Sequence, residues 1–172
     1  MARPQVGDYS NYAQVYINAT ADETVADLIA NHSQIILNSI NNLPESKGNF
    51  SYAEGKWTVK QVLQHMIDTE RIFVYRALTF ARKDIVVLPG FEQDDYAKNA
   101  PANNRSLTAL KLEFNLLRQS TDLFLAGLTN EELQQNGIAS NQNITVNAIA
   151  FIIFGHNLHH KKVFEEKYLL RN

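Results

Sequence analysis

The sequence predicts an all-helical fold, a four-helix bundle. Four prolines, Pro4, Pro44, Pro89 and Pro101, stand far apart and leave long stretches without a helix breaker. Within those stretches apolar residues recur at spacings of three and four and do not alternate as in strands. Four such stretches are long and amphipathic, and strand signals between them are few, which is the pattern of a bundle.

Residues 5–20 include a short helix, because Tyr9, Tyr12, Val15 and Tyr16 recur at near-helical spacing. The first long helix spans about 22–43. Thr20, with Glu23 three residues on, has the form of a capping box. Val25, Leu28, Ile29, His32, Ile35, Ile36 and Ser39 then mark the inner face. A loop with Pro44 and Gly48 follows, and Gly55 precedes a second helix over about 58–82. Val59, Val62, Leu63, Met66, Ile67, Phe73 and Leu78 spread its apolar character around much of the circumference. The long connection, about 83–105, holds Leu88-Pro89-Gly90 and a short helix over about 92–98. The third helix, about 106–128, carries Leu110, Phe114, Leu117, Thr121, Phe124 and Leu128. Thr129 and Glu132 mark another short capped helix, and the last long helix covers about 145–170, with Thr145 near its start. The first two helices, joined by about a dozen residues, can run antiparallel. The roughly twenty residues between the second and third are enough to cross the bundle, so these two run parallel.

A chain of 172 residues with no linker, repeat or low-complexity tract reads as one domain over 1–172. Its net charge of -2 and the absence of a basic stripe argue against a nucleic-acid partner. The residues 1–12 hold no apolar core of a signal peptide. The longest apolar run, 148–154, falls far short of the ~20 residues that span a bilayer. The expectation is a cytoplasmic protein with no membrane partner. With no cysteine, the chain has no disulfide, thiolate ligand or thiol nucleophile of its own, so thiol chemistry would need an external thiol.

Of the five histidines, three fall in FGHNLHHKK. On a helix His156 and His160 sit about 40° apart, one turn from each other, so two imidazoles can reach one ion. They continue the stripe of Thr145, Ile149 and Ile152 and so face the interior. His159 lies about 60° to the other side of His156 and pairs less naturally. His65 stands mid-way along the second helix, with Val62, Thr69 and Ile72 on its own face. A lone interior histidine is usually a hydrogen-bonded core residue. Three on two inward faces give the metal reading equal weight, and spacing takes the matter no further.

Three separated stretches carry a resemblance: YAEGKWTVKQVLQHMIDTERIFVYRAL, LPGFEQDDY and FGHNLHHKKVFEEKYL. Together, in this order and over about 9–169, they resemble the DinB-like metalloprotein family, also called bacillithiol-transferase-like. The resemblance implies a bundle in up-down-down-up order. It also implies a divalent metal held by the histidine of an H-x-x-D/E segment and by an H-x-x-x-H pair. These fall on His65, His156 and His160, with His159 a neighbour. Relatives of this kind include S-transferases and isomerases that use a low-molecular-weight thiol, and the resemblance also implies a homodimer.

Other residues carry two readings each. Asp68 could orient a ligand or shuttle a proton, Glu70 faces a neighbouring helix or solvent, and both are read as structural salt-bridge partners. Arg76 returns to within about 20° of the His65 face. It could bind an anionic substrate or a thiol's carboxylate, but an ion pair with Glu113 is the expectation. Trp57 reads as a packing anchor. Asp94 and Asp95 read as caps of the short crossover helix, and Phe91 and Tyr96 would line a pocket if that loop overhangs the site. Lys161–Glu165 and Lys162–Glu166 read as a solvated face.

Three neutral ligands leave a metal its full charge, enough to bring a bound water's pKa to roughly 7 or to turn a bound thiol into thiolate. The expected function is a metal-dependent enzyme acting on a small molecule. It would transfer an external thiol to an electrophile or hydrolyse its substrate with metal-activated hydroxide. The alternatives are a non-catalytic metal-binding stress-response module and a bundle whose histidines are only structural. Imidazole ligands suit Zn, Ni, Fe, Mn or Cu without choosing among them. Paired Glu-x-x-His motifs of a di-iron site are missing.

Overall fold

The computed structural model describes residues 1–169. A 3-10 turn at Asn11–Ala13 leads into α1 (Gln14–Ile17). The expected short helix is present; Ala13 and Ile17 are its buried residues, whereas Tyr12 and Val15 are exposed. α2 (Val25–Asn41) begins later than expected. Its capping box is Thr24 with Asp27, not Thr20 with Glu23: Asp27 N donates to Thr24 Oγ1 (3.1 Å) and Thr24 N to the Asp27 carboxylate (3.0 Å). The Thr20 carbonyl instead accepts from the Arg3 guanidinium at 2.9 Å. Ile35 and Ile36 are about 100° apart on the helix, so one must turn outward. Ile36 joins Leu28 and Ile40 in the core, and Ile35 is 48% exposed.

α3 (Val59–Ala81) opens on a capping box of Thr58 and Gln61. α4 (Gln93–Asn99) is the short crossover helix. Asp94 and Asp95 lie in its first turn, where they meet the positive end of the helix dipole; the N-cap is Glu92, so neither is the cap expected of it. α5 (Leu107–Ala126) starts at the N-cap Ser106, and α6 (Asn130–Gln134) carries the expected box of Thr129 and Glu132. A hairpin the sequence reading did not find follows: β1 (Asn136–Ala139) pairs antiparallel with β2 (Gln142–Thr145). Its two tip residues, Ser140 and Asn141, have φ of 53° and 61°, as a tight primed turn requires. Leu88 of the crossover straps onto this hairpin, donating to the Ile138 carbonyl (2.9 Å) and accepting from Ser140 N (3.1 Å). α7 (Val146–Val163), N-capped by Thr145, runs on into a π-helical turn at Phe164–Leu169. Its expected last residue, Leu170, lies outside the described residues.

α2, α3, α5 and α7 form the bundle. α7 packs on α2 and α3, and α5 packs on the same two, so α2 and α3 face each other across a diagonal. Polar contacts fix the directions. The start of α5 meets the end of α2, where Lys111 Nζ donates to the Asn41 carbonyl (3.0 Å) and Leu107 N to Glu45 (2.9 Å). α5 runs parallel to α3, with Arg105 on Gln64 (2.9 Å) and Arg118 on Glu70 (2.9 Å). α7 runs antiparallel to α3: Tyr168 donates to the Trp57 carbonyl (2.7 Å) near one end, and Arg76 reaches Ser140 (3.0 Å) near the other. Lys47, just past α2, donates to the Tyr168 carbonyl (2.9 Å), so α2 and α7 share a direction. The order is up-down-down-up, with the crossover between α3 and α5.

α7 is the central helix. Every residue from Val146 to Asn157 is buried, on all sides of the helix, as expected of a helix enclosed by others. Gly155 lets α1 close on it, since a Cβ there would lie 2.0 Å from the Tyr16 carbonyl oxygen. Glu70 accepts from Arg118 (2.9 Å) and Asn157 (2.7 Å), tying α3, α5 and α7 together with a wholly buried ion pair. No helix among the described residues is long and apolar enough to cross a membrane.

Candidate metal centre

Toward the end of the bundle where α3 begins and α7 finishes, these two helices bring three imidazoles together. His65 Nε2 lies 3.1 Å from His156 Nε2, which in turn lies 3.1 Å from His160 Nε2. One ring nitrogen from each lies within 4.8 Å of the others. The two-residue contribution of α7 follows from the one-turn spacing, and the antiparallel run of α3 sets His65 level with that pair.

Nitrogens bound at ~2.0–2.1 Å to a common ion, at angles of about 90–110°, lie roughly 2.9–3.4 Å apart. The observed 3.1 Å separations fit that range. Hydrogen bonding alone fits them less well. A ring nitrogen has either one proton or one in-plane lone pair, so His156 Nε2 can satisfy only one of its two neighbours. Burial first, then Coulombic repulsion from the neighbouring histidines, holds His156 well below the usual imidazole range. Burial brings His65 down to about 4, with Asp94 opposing and His159 assisting. Burial, followed by His65 and His159, brings His160 to about 3. All three are therefore neutral at pH 7, the form in which the lone pair is available.

The surroundings fix the rings. Thr69 Oγ1 stands 3.4 Å from His65 Nδ1, on the side away from the cluster, and so favours Nε2 pointing inward. Trp57 packs on His65 with ring centroids 5.0 Å apart, and Tyr16 meets His156 edge-on at 5.5 Å. His159 is exposed and stays outside the cluster, its ring 5.1 Å from that of His160. His32, on α2, is also remote and sits against Asp22 at 2.6 Å.

A cavity of about 350 Å³ opens over His65 and His156. Phe73 and Arg76 of α3, Tyr16 of α1 and Phe91 of the crossover line it. The loop therefore does overhang the cluster. Phe91 forms part of the wall, while Tyr96 buttresses Phe91 with centroids 5.3 Å apart. Thr69 stood on the His65 face in the sequence, but its role did not show there. Tyr16 and the hairpin residues Ser140 and Gln142 gave no signal at all, because only tertiary packing brings them here.

Two expectations are corrected. Asp68 makes no ion pair among the described residues; it accepts from Gln64 Nε2 at 2.9 Å, and burial raises its carboxyl pKa. Arg76 does not pair with Glu113, which is occupied by Arg71 (2.6 Å) and Arg105 (2.5 Å). The expected Glu70 ion pair forms, with Arg118. The surface pairs Lys161–Glu165 (2.8 Å) and Lys162–Glu166 (3.7 Å) are also present.

Residues 20–163 match the family model described as the DinB superfamily. A protein of Oceanobacillus iheyensis named "putative metal-dependent hydrolase" is 26% identical over 124 residues, covering 71% of this chain and 70% of its own. The structure of YfiT from Bacillus subtilis superposes with a TM-score of 0.68 at 14% identity, covering 95% of this chain and 89% of that one. YfiT is described as "a probable metal-dependent hydrolase with an unusual four-helix bundle topology".

Proposed function

Because this chain belongs to the DinB superfamily, we propose that His65, His156 and His160 hold one divalent metal ion and that the protein is a metal-dependent enzyme. Its substrate is a small molecule that enters the cavity over His65 and His156. The observation that carries this reading is the convergence of three neutral Nε2 atoms beneath that cavity. A structural zinc site closes its coordination with four protein ligands, whereas a catalytic one keeps a position open. Here the cluster offers three imidazoles, two of which, His65 and His156, line a cavity large enough for a small molecule, and that favours catalysis over a purely structural ion.

When bound, the ion supplies Lewis acidity, making a water or an external thiol nucleophilic near neutral pH. The protein's own residues supply position and dryness. Thr69 orients His65, Trp57 and Tyr16 hold the rings of His65 and His156, and Phe73 and Phe91 limit water around the reacting bond. The names of the two relatives favour hydrolysis. Transfer of a low-molecular-weight thiol is the second form of the same chemistry, and a chain without cysteine would take that thiol from outside.

The test is turnover by tag-free protein loaded separately with Zn, Ni, Mn or Fe. Esters, amides and phosphoesters form one panel; chlorinated and epoxide electrophiles with added thiols form the other. The expected result is turnover of at least one compound that disappears in His160→Ala, with dependence on added thiol deciding between the two forms. No turnover above the His160→Ala background across both panels overturns the enzymatic reading.

A further inference from the structure

We propose that Arg76 anchors an anionic group of the substrate, so that the molecule acted on carries a carboxylate or comparable anion at one end and its reacting bond at the other. This rests on the cavity being the substrate site, and it adds a substrate class to that reading.

Arg76 is 6% exposed and keeps its positive charge throughout the ordinary pH range. Among the described residues no carboxylate lies within 4.0 Å of it, whereas Arg71 and Arg105 share Glu113 and Arg118 has both Glu70 and Asp122. Its described hydrogen bonds are both made by Nη2, to the Pro89 carbonyl (2.8 Å) and Ser140 Oγ (3.0 Å). These neutral acceptors, one from the crossover and one from the hairpin tip, hold the guanidinium in place without neutralising it. Nη1 and Nε have no described protein acceptor. The Phe73 ring lies beneath the guanidinium carbon, 5.5 Å from centroid to Cζ. A buried charge without a counter-charge is costly, and an incoming anion offsets that cost. Burial also lowers the pKa of this arginine, in keeping with a charge that the protein leaves uncompensated.

The location sets the substrate's length. Arg76 lines the same cavity as His65 and His156. Eleven residues of helix separate His65 from Arg76, a rise of about 16 Å between their Cα atoms, and helical side chains lean back toward the N-terminus. The anion and the reacting bond are then on the order of 10 Å apart, the span of an extended chain of several bonds.

The test uses the full-length protein, with Zn and again after chelation, and the probes 4-phenylbutanoate and its neutral amide, 4-phenylbutanamide. The carboxylate is expected to bind at least tenfold more tightly than the amide and to move the Arg76 Nε–Hε resonance. That preference is lost in Arg76→Gln and kept in His160→Ala and in chelated protein. Survival in His160→Ala and after chelation separates this proposal from the metal reading, because a carboxylate held by the ion would be released in both. Equal binding of acid and amide overturns it, as does a preference that survives Arg76→Gln or vanishes on chelation. Should Arg76→Gln fail to fold, an unmoved Arg76 resonance in the wild type overturns it equally. Competition by inorganic phosphate shows whether the anchor takes anions in general or carboxylates in particular.

Discussion

Adding one methyl group to Gly155 should open the cavity's α1 wall. An ideal Cβ at that position would lie 2.0 Å from the Tyr16 oxygen, 2.6 Å from its carbonyl carbon and 2.8 Å from its Cα. Carbon contacts settle near 3.5–4.0 Å, so α1 and α7 must part by roughly 1 Å or more, and the obstacle is backbone, which no rotamer change relieves. Two responses are open. Overpacking strain in place costs about 1–3 kcal/mol. Detachment of α1 exposes the buried Ile17, a loss of about 1.5–3 kcal/mol, together with Ala13 and part of Tyr16. Against either, replacing glycine by alanine inside a helix returns about 1 kcal/mol. With that gain subtracted, the net expectation for Gly155→Ala is a destabilisation of about 0.5–2 kcal/mol, or a Tm lower by roughly 1–8 °C for a chain of this size. A far-UV circular dichroism melt measures it, with faster proteolysis near residues 10–20 as the local signature. A Tm equal to or above that of the wild type would mean that α1 does not press on Gly155, because helix propensity alone predicts that rise.

Acid should destabilise the chelated protein. The three clustered histidines have folded pKa values below their unfolded value of 6.5, with His65 near 4 and His160 near 3, so unfolded chains take up protons first. Their contribution to stability is present above about pH 6.5 and fades as pH falls toward 4. Asp68, with its raised pKa, works in the opposite sense, and Asp68→Asn should steepen the loss. Melts at pH 7 and pH 5 decide it, and a chelated protein more stable at pH 5 contradicts the buried neutral cluster. Glu70→Ala leaves Arg118 with only the partly exposed Asp122 and strips Asn157 of an acceptor; the expected cost is about 3 kcal/mol or more. Urea titration measures that loss, and in it Lys162→Ala, which removes a 3.7 Å surface pair, should stay within about 0.5 kcal/mol of the wild type.

What the sequence revealed follows from how local each signal is. Thr58, Ser106, Thr129 and Thr145 each cap a helix at or next to the expected start, because a cap is settled by residues three apart. Thr20 misled for the same local reason. Thr24 with Asp27 offers an equivalent box, and what separates the two is the Arg3 guanidinium on the Thr20 carbonyl, a contact from 17 positions away. The hairpin was missed since its strands are four residues each and its turn is made by Ser140 and Asn141, with no glycine at the tip. The crossover was legible from length alone, which fixed the parallel run of α3 and α5. The diagonal placement of α2 and α3 was not, because it depends on α7 being apolar on every side. The histidine cluster followed from helical phase plus a family resemblance. The Arg76 environment did not, since its partners Pro89 and Ser140 belong to segments that meet only in the folded chain.

Whether one ion sits among the three Nε2 atoms is decided most directly by X-ray absorption on tag-free protein loaded with one equivalent of Zn. The expected result is three imidazole nitrogens at ~2.0–2.1 Å, together with one or two oxygen ligands at similar distance, and loss of that imidazole shell in His65→Ala. An ion that is not retained, or one whose imidazole shell is unchanged in His65→Ala, would contradict it.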